Sequence, residues 1–168
     1  FHTGDVGSIT PGGLKIISRL DRVFKLSNGE KVFPAEVEEQ IQARCKFIKY
    51  AYVFGKGKPL PMMLFFPNYE LLRASVINSL EDGACVCPGC ESELSHCLKN
   101  CVHNINVEVR ENCKRVFRAL LVCKELSLEN NELTPSFKLV PRTIEKNYQE
   151  HMACLEDANK ALPQGAFR

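Results

Sequence analysis

The start of the chain alternates short apolar segments with turn residues, a pattern that predicts two consecutive β-hairpins. In the first, apolar residues lie on both sides of a Pro-Gly-Gly turn at residues 11–13. Proline fixes φ and glycine permits a positive φ, which is the combination that a tight turn requires. In the second, apolar segments at residues 23–26 and 31–33 flank an Asn-Gly turn at 28–29, a strong hairpin signal.

The next part of the chain predicts a helix followed by two strands. Pro34 suits the first position of a helix, where an N–H would have no intrahelical partner, and the glutamates after it suit the positive helix end. We expect this helix to end near Arg44. Aromatic and β-branched residues at 47–54 and 62–66 then predict two strands, separated by a glycine- and proline-containing loop at 55–59.

The second half of the chain shows mainly helical spacing. Residues 69–80 and 143–155 are predicted as helices, and Pro-Gln-Gly at 163–165 predicts a frayed tail. One helix face is formed by apolar residues at the i, i+3, i+4, i+7 spacing, namely Leu94, Cys97, Leu98, Cys101, Val102 and Ile105. The same spacing predicts a further helix through Cys113, Val116, Phe117, Leu120 and Leu121. Together these elements predict a small α+β domain with a β-hairpin ahead of it.

Composition and charge narrow the class of protein. Of the 168 residues, 45% are hydrophobic and 25% charged, as in a globular protein of one domain, or of one domain plus part of another. The net charge of +2 argues against nucleic acid binding through a broad basic face. The longest apolar segment, residues 62–66, is far shorter than the ~20 residues of a membrane-spanning helix. Because the chain starts at Phe1 rather than Met, we expect a fragment of a larger protein.

The nine cysteines raise the question of metal binding. Cys87 and Cys90 form a C-x-x-C pair, and Cys85 and His96 complete a candidate zinc site. A second C-x-x-C is missing, and cysteines on the apolar face of the predicted 94–105 helix behave as small hydrophobes. We therefore favour free thiols in a reducing compartment, and we keep a metal-held interaction module as the rival function.

Three short polar segments carry candidate chemistry, although each is weak alone. Asp5 follows a Thr-Gly pair, where an aspartate either forms a turn or accepts hydrogen bonds from a sugar diol. Residues 18–30 alternate charges along the second predicted hairpin, as a solvated hairpin does. Residues 133–142 contain two basic side chains and no acid. Lys138 in this segment is either a solubilising charge or a mobile cation that neutralises a phosphate or carboxylate.

Taken in order, these segments resemble the C-terminal part of the adenylate-forming acyl-CoA synthetase superfamily. The shared motifs are Thr-Gly-Asp, Arg-x-Asp, Lys-x-Ser-x-Gly-Glu and Thr-Pro-Ser-x-Lys, here at residues 3–5, 19–21, 25–30 and 134–138. Within the superfamily, residues 24–34 and 133–138 are most similar to the long-chain fatty-acid–CoA ligases. The resemblance covers about residues 1–155 and is weakest over 82–112.

The resemblance implies a two-step reaction. A carboxylate and ATP form an acyl-adenylate and pyrophosphate, and the thiol of coenzyme A then forms the thioester and releases AMP. Mg²⁺ serves the phosphates. Family members hold these substrates between a large N-terminal adenylation domain and a small C-terminal lid domain, which rotates about a hinge between the steps. The fatty acid, ATP and coenzyme A, with the chain's own N-terminal domain, are therefore the partners that the resemblance implies.

The resemblance also assigns roles to single residues at the start of the chain. Asp5 matches the aspartate that hydrogen-bonds the ribose hydroxyls of the nucleotide. Arg19 matches the arginine that helps to hold the nucleotide. Asp21 matches the hinge position, where the family has Asp or Lys.

Two further segments match the groups that serve the two steps. Lys138 matches the lysine needed for adenylation, where its charge would offset that of the α-phosphate under attack. Lys25, Gly29 and Glu30 belong to the hairpin that enters the active site for the thioester step, and Gly29 suits a close backbone approach to a ligand. The resemblance implies that Lys138 and this hairpin occupy different faces of the small domain.

These matches divide the chain and limit what it does alone. We expect residues 1–20 to be the end of the N-terminal domain and hinge approach, 21–155 the mobile domain, and 156–168 a tail. The chain contains no phosphate loop, so we expect the isolated fragment to be inactive. The acceptor, coenzyme A or a carrier-protein thiol, and the acyl chain length stay open. The expected location is cytoplasmic, with peripheral membrane association of the full-length enzyme left open.

Overall fold

Two hairpins begin the computed structural model, which describes residues 2–75, 91–157 and 166–167. Strand β1 (Asp5–Thr10) pairs antiparallel with β2 (Gly13–Arg19) across the predicted proline–glycine turn. After a 3₁₀ turn at Leu20–Arg22, the short strand β3 (Phe24–Lys25) pairs with β4 (Lys31–Val32). Both hairpins predicted from the sequence are confirmed.

A four-stranded sheet forms the centre of the fold. Its strands, in spatial order, are β5 (Ile48–Phe54), β6 (Met62–Pro67), β7 (Arg118–Leu121) and β8 (Ala166–Phe167). β5 and β6 are antiparallel, β6 and β7 are parallel, and β7 and β8 are antiparallel. The β5 and β6 strands confirm the two strands predicted from aromatic and β-branched residues.

Five α-helices surround the sheet in the described part of the chain. They are α1 (Pro34–Arg44), α2 (Tyr69–Ser75), α3 (Glu91–Glu108), α4 (Pro141–Asn147) and α5 (Gln149–Glu156). The bounds of α1 agree with the prediction at both ends. The predicted end of α2 near residue 80 lies outside the described residues. The single helix predicted over 143–155 is instead two helices, interrupted at Tyr148 (φ −113°, ψ 20°).

Both faces of the central sheet are covered. One face, here called the α1 face, packs against α1, α3 and the β3–β4 hairpin, and its sheet residues are Ala51, Val53, Met63, Phe65, Ala119 and Leu121. The opposite α4 face packs against α4, α5 and the loop before α4, and its sheet residues are Tyr52, Phe54, Met62, Leu64, Phe66 and Leu120. Alternate residues of each strand thus enter two separate hydrophobic clusters.

The helix predicted through residues 113–121 is wrong. A 3₁₀ turn at Asn112–Lys114 is followed by β7, which lies between β6 and β8. All four residues of β7 are buried, and three of them are apolar; the fourth, Arg118, donates to backbone carbonyls, so the strand lacks the exposed positions that mark a half-exposed strand. A short apolar run of this kind cannot be distinguished from a buried helix by periodicity, and parallel pairing with β6 decided the outcome.

The end of the chain also differs from the expected tail. Ala166 and Phe167 pair with Leu120 and Ala119 and so form the edge strand β8. This strand satisfies backbone groups of β7 that would otherwise form an open sheet edge. The predicted frayed segment at 163–165 lies outside the described residues. Within the described ranges, no helix is long and apolar enough to cross a membrane.

Candidate active site

Three of the predicted residues meet at the open end of the first hairpin. Asp5 and Arg19 are cross-strand partners in β1 and β2. The Arg19 Nε atom is 3.7 Å from Asp5 Oδ1 and 3.7 Å from Asp21 Oδ1. The side chains of Arg19 and Asp21 are 61% and 73% exposed, so these ion pairs are weak and can exchange for a ligand.

A buried ion pair follows directly after the hinge candidate Asp21. The Arg22 Nη2 atom donates to Glu38 Oε1 of α1 at 2.6 Å, and the two side chains are 16% and 13% exposed. The same carboxylate accepts the backbone N–H of Val53 at 2.9 Å, and the Arg22 guanidinium lies 4.5 Å from the centroid of the Tyr52 ring. Arg22 is therefore fixed to the domain, whereas Asp21 is exposed in a 3₁₀ turn.

No local sequence motif indicates this pair. Arg22 and Glu38 lie in different elements, and the alternating charges around Arg22 predicted only a solvated hairpin. The burial of the pair raises the pKa of the Glu38 carboxyl above its ordinary value, although the Arg22 charge opposes this shift. The geometry marks residue 21 as the last exposed position before the packed domain.

The tip of the β3–β4 hairpin is an ordered turn. The Leu26 N–H donates to the Glu30 carbonyl at 2.9 Å, and the Gly29 N–H donates to the Leu26 carbonyl at 3.0 Å. The Asn28 side chain accepts the Glu30 N–H and donates to the Glu30 carboxylate. Gly29 has φ +87° and no described atom within 4 Å of an added Cβ, so its backbone is open to a ligand.

The loop between β5 and β6 supports the same hairpin. The Gly57 N–H donates to the Lys25 carbonyl at 2.8 Å, and the Ser27 N–H donates to the Lys58 carbonyl at 2.9 Å. Lys25 and Glu30 are exposed at the tip, whereas Leu26 beside them is 3% exposed and belongs to the α1-face core. The hairpin therefore presents polar side chains on a base that is fixed to the domain.

Lys138 lies in a compact loop on the other side of the sheet. Leu133 and Leu139 form a backbone bridge that closes this loop, and both pack into the α4-face cluster. The Thr134 N–H donates to the Lys138 carbonyl at 2.8 Å, and the Lys138 N–H donates to Thr134 Oγ1 at 3.1 Å. Phe137 has φ +57°, which fixes a sharp reversal directly before the exposed Lys138.

The structure therefore separates the predicted residues into three groups. Asp5, Arg19 and Asp21 lie together at the first hairpin. The hairpin that carries Lys25, Gly29 and Glu30 is anchored on the α1 face through Leu26 and Val32. The loop that carries Lys138 is anchored on the α4 face through Leu133 and Leu139. One sheet thus separates the anchors of the two segments that were expected on different faces.

The candidate zinc ligands do not form a described site. Cys85, Cys87 and Cys90 lie outside the described residues, and His96 is exposed on α3. In the part of the chain that the structure describes, no group of three or more His, Cys, Asp or Glu side chains is arranged to hold a metal ion.

Two cysteines of α3 form a different arrangement with a cysteine of α1. Cys97 and Cys101, expected on the apolar face, are only half-buried, and Cys45 at the end of α1 is buried. A hydrogen bond from the Cys45 thiol, with further support from Cys97 and Arg44, lowers the pKa of Cys101 to about 6 despite its partial burial.

Comparison with known proteins decides the family. Residues 21–160 match the family model described as the AMP-binding enzyme C-terminal domain. The chain belongs to this family. The match begins at the hinge candidate Asp21 and includes both the β3–β4 hairpin and the Lys138 loop.

Curated relatives of this AMP-binding C-terminal domain include CoA ligases. Probable CoA ligase CCL6 of Humulus lupulus is 30% identical over an alignment of 164 positions, gaps included, which covers 90% of this chain and 23% of that protein. Peroxisomal long chain acyl-CoA synthetase 6 of Arabidopsis thaliana is 28% identical over an alignment of 177 positions, gaps included, which covers 96% of this chain and 25% of that protein. The chain thus spans about a quarter of the length of these relatives.

Solved structures confirm the α+β fold class. The adenylation domain of a carboxylate reductase from Mycobacterium chelonae aligns with a TM-score of 0.70 and 18% identity, covering 92% of this chain and 23% of that chain. An anthranilate CoA ligase in complex with anthranoyl-AMP aligns with a TM-score of 0.56 and 16% identity, covering 92% of this chain and 24% of that chain. The predicted membership of the adenylate-forming superfamily is confirmed by the family model over residues 21–160 and by the curated CoA ligases.

Proposed function

We propose that this chain is the mobile C-terminal domain of an ATP-dependent long-chain fatty-acid–CoA ligase. In this proposal residues 1–20 approach the hinge from a large N-terminal adenylation domain, and the packed domain begins directly after Asp21. The observation that carries the proposal is the anchoring of the Lys138 loop and the β3–β4 hairpin on opposite faces of one sheet.

A single rigid domain with two such faces suits a reaction in two steps. A rotation about Asp21 would present the Lys138 face for adenylation and the hairpin face for thioester formation. Asp21 is exposed in a short 3₁₀ turn, and Arg22 beside it is held by Glu38. A change of φ and ψ at residue 21 therefore moves the packed domain as a unit.

The residues present fit a nucleotide. The Asp5 carboxylate is partly exposed and has acceptor capacity for two ribose hydroxyls, and the exposed Arg19 guanidinium offers donors to nucleotide oxygens. In the adenylation step the Lys138 ammonium would offset the charge that develops as a carboxylate oxygen attacks the α-phosphate. Mg²⁺, when bound, would neutralise phosphate charge, and we assign its ligands to the N-terminal domain.

In the thioester step the hairpin would line the path of the coenzyme A thiol. Gly29 lets the backbone approach the ligand closely, while Lys25 and Glu30 supply exposed polar groups on either side of the turn. We propose a cytoplasmic enzyme, because nine cysteines in 168 residues are fewer than a disulfide-built secreted scaffold contains. Alone, the 168-residue chain should show no ATP–pyrophosphate exchange, and measurable turnover would contradict the domain assignment.

The test separates the two half-reactions in the full-length polypeptide that carries this chain. Lys138→Ala should reduce ATP–pyrophosphate exchange by about 10²-fold or more and spare thioester formation from supplied acyl-adenylate. Gly29→Leu should reduce thioester formation and spare ATP–pyrophosphate exchange, because the leucine side chain would obstruct the path of the thiol. Gly13→Leu is the matched control for backbone strain, since Gly13 in the turn of the first hairpin also has a positive φ (+116°) and no described atom within 4 Å of an added Cβ.

Equal loss of both half-reactions in Lys138→Ala would refute the assigned role. The acceptor is tested in the same assay by supplying coenzyme A or a phosphopantetheine-bearing carrier protein. Transfer to the carrier alone would keep the adenylation proposal and replace the ligase by an acyl-adenylate:carrier transferase.

A further inference from the structure

Glu132 is a fully buried carboxylate at the base of the Lys138 loop, with 0% of its surface exposed. Burial of a carboxylate is unfavourable unless donors surround it. Four donors do so here, namely Lys124 Nζ at 3.2 Å, Ser127 N at 3.1 Å, Asn147 Nδ2 at 3.1 Å and Tyr148 Oη at 3.0 Å. The sequence offers no signal for this residue, because its donors are spread along the chain.

The donors connect Glu132 to the rest of the α4-face layer. Lys124 and Ser127 belong to the segment after β7, Asn147 ends α4, and Tyr148 lies in the break between α4 and α5. The Tyr148 ring contacts Phe66 of β6 edge-on, with 5.2 Å between the ring centroids. The carboxylate therefore links the central sheet and two helices to one point of the loop.

The backbone of Glu132 ties the same loop to the segment before it and to its returning end. Its N–H donates to the Ser127 carbonyl at 3.2 Å, and its carbonyl accepts the Val140 N–H at 2.9 Å. Residues 133–139 therefore leave and return at a single buried residue. A shift of Glu132 moves the whole loop, including Lys138 six residues on.

We propose that Glu132 is a positioning residue for Lys138, whose buried carboxylate fixes the base of the 133–139 loop and so fixes the place where the Lys138 ammonium is presented. This inference rests on the proposed function, because the position of Lys138 matters only if Lys138 acts in adenylation. Four donors from three segments bind one buried carboxylate, so the base of the loop has a single low-energy arrangement.

The informative substitution is Glu132→Gln, which keeps the size of the side chain. Three donors converge on Oε1 and the fourth meets Oε2. Whichever way the amide is oriented, its NH₂ group faces a donor, and one side of the cluster must move apart. The loop base should therefore loosen although the core volume is unchanged.

The first measurement is amide hydrogen exchange of the 168-residue chain. The Thr134 and Phe137 amides are hydrogen-bonded within the loop and the Val140 amide at its base, and we expect their exchange to be about tenfold faster in Glu132→Gln. Ile41→Val, a core substitution on the α1 face, is the control for general destabilisation and should leave the loop's exchange relative to the rest of the domain unchanged. Unchanged loop exchange in Glu132→Gln overturns the inference.

The second measurement uses the full-length polypeptide and the two half-reactions. Glu132→Gln should reduce adenylation about 10- to 100-fold and spare thioester formation from supplied acyl-adenylate, because misplacement by about 1 Å has effects of this size. In a Lys138→Ala background, Glu132→Gln should cause no further loss of adenylation. The Ile41→Val control should leave both half-reactions intact.

The outcomes separate the two proposals. An additive loss in the double variant overturns the positioning role, since a purely structural defect would act independently of Lys138. If Lys138→Ala by itself leaves adenylation intact, the proposed function fails, and the inference fails with it. Faster loop exchange, a selective loss of adenylation and non-additivity together support the inference.

Discussion

The Arg22–Glu38 ion pair holds the start of the packed domain directly after the hinge candidate Asp21, and its removal tests that role. Arg22→Met removes the guanidinium but keeps an unbranched stem against the Tyr52 ring, so the perturbation is mainly the loss of charge. Glu38 is then left 13% exposed, with the Val53 N–H, 2.9 Å away, as its remaining hydrogen-bond donor among the described contacts. We therefore expect Arg22→Met to lower the free energy of unfolding by the cost of one uncompensated buried carboxylate.

The expected magnitude follows from the burial of both partners. Removing one partner of a buried ion pair costs about 3–5 kcal/mol, and the residual exposure of Arg22 and Glu38 favours the lower end of that range. This is a large share of the roughly 5–15 kcal/mol by which small domains are stable. Adding Glu38→Gln to Arg22→Met removes the uncompensated charge and should restore about 2 kcal/mol.

The dependence on pH has a definite sign. The pKa of Glu38 is already raised by burial and rises further once Arg22 is gone. A group whose folded-state pKa lies above its unfolded value contributes stability that is present at low pH and is lost as the pH rises through the folded pKa. The deficit of Arg22→Met should therefore be full at neutral pH and shrink as the pH falls.

The assay is urea unfolding monitored by circular dichroism for the wild type and each variant. Arg44→Met is the matched control, because Arg44 pairs with Glu108 at the surface, where the side chains are 46% and 57% exposed. An exposed pair contributes about 0–1 kcal/mol. Equal losses in Arg22→Met and Arg44→Met, or no recovery on adding Glu38→Gln, would refute the reasoning.

Three further predictions follow from other contacts. The pKa of Glu132 is lowered, because hydrogen bonds from Asn147 and the other donors outweigh the opposing effect of burial. The contribution of Glu132 to the free energy of unfolding should therefore be present above its unfolded-state pKa and lost as the pH falls through its folded-state pKa. Urea unfolding between about pH 6 and 3 should show a weaker dependence of stability on pH for Glu132→Gln than for the wild type. The hydrogen bond from Cys45 lowers the pKa of Cys101, whereas burial raises the pKa of Cys113. Iodoacetamide should therefore label Cys101 faster than Cys113 at neutral pH, as measured by peptide mass spectrometry. Equal labelling rates would contradict this. Gly29→Ala should cost only about 1 kcal/mol in urea unfolding, because φ +87° is strained for alanine while no described atom lies near the added methyl; a loss above about 3 kcal/mol would show a contact that the structure lacks.

Local signals predicted the elements whose information lies in neighbouring residues. Asn28-Gly29 specified the second hairpin, and Pro34 specified the first turn of α1, because each fixes φ or hydrogen-bonding at its own position.

Elements whose form depends on distant partners could not be predicted in this way. Residues 119–121 form a short apolar run that suits a helix or a buried strand, and parallel pairing with β6 made them part of a strand. Ala166 and Phe167 became an edge strand because β7 has a free edge there. In each case the deciding hydrogen bonds come from residues far along the chain.

By itself, the sequence determined the hairpins, the first helix, two sheet strands and the motifs that the family comparison then matched. The tertiary structure decided which of the motif residues lie together. It joined Asp5 to Arg19, buried Arg22 against Glu38, and gathered four donors around Glu132. The physical reason is that motif spacing is a property of the chain, whereas burial and hydrogen-bond partners exist only once the sheet has closed and both of its faces are covered.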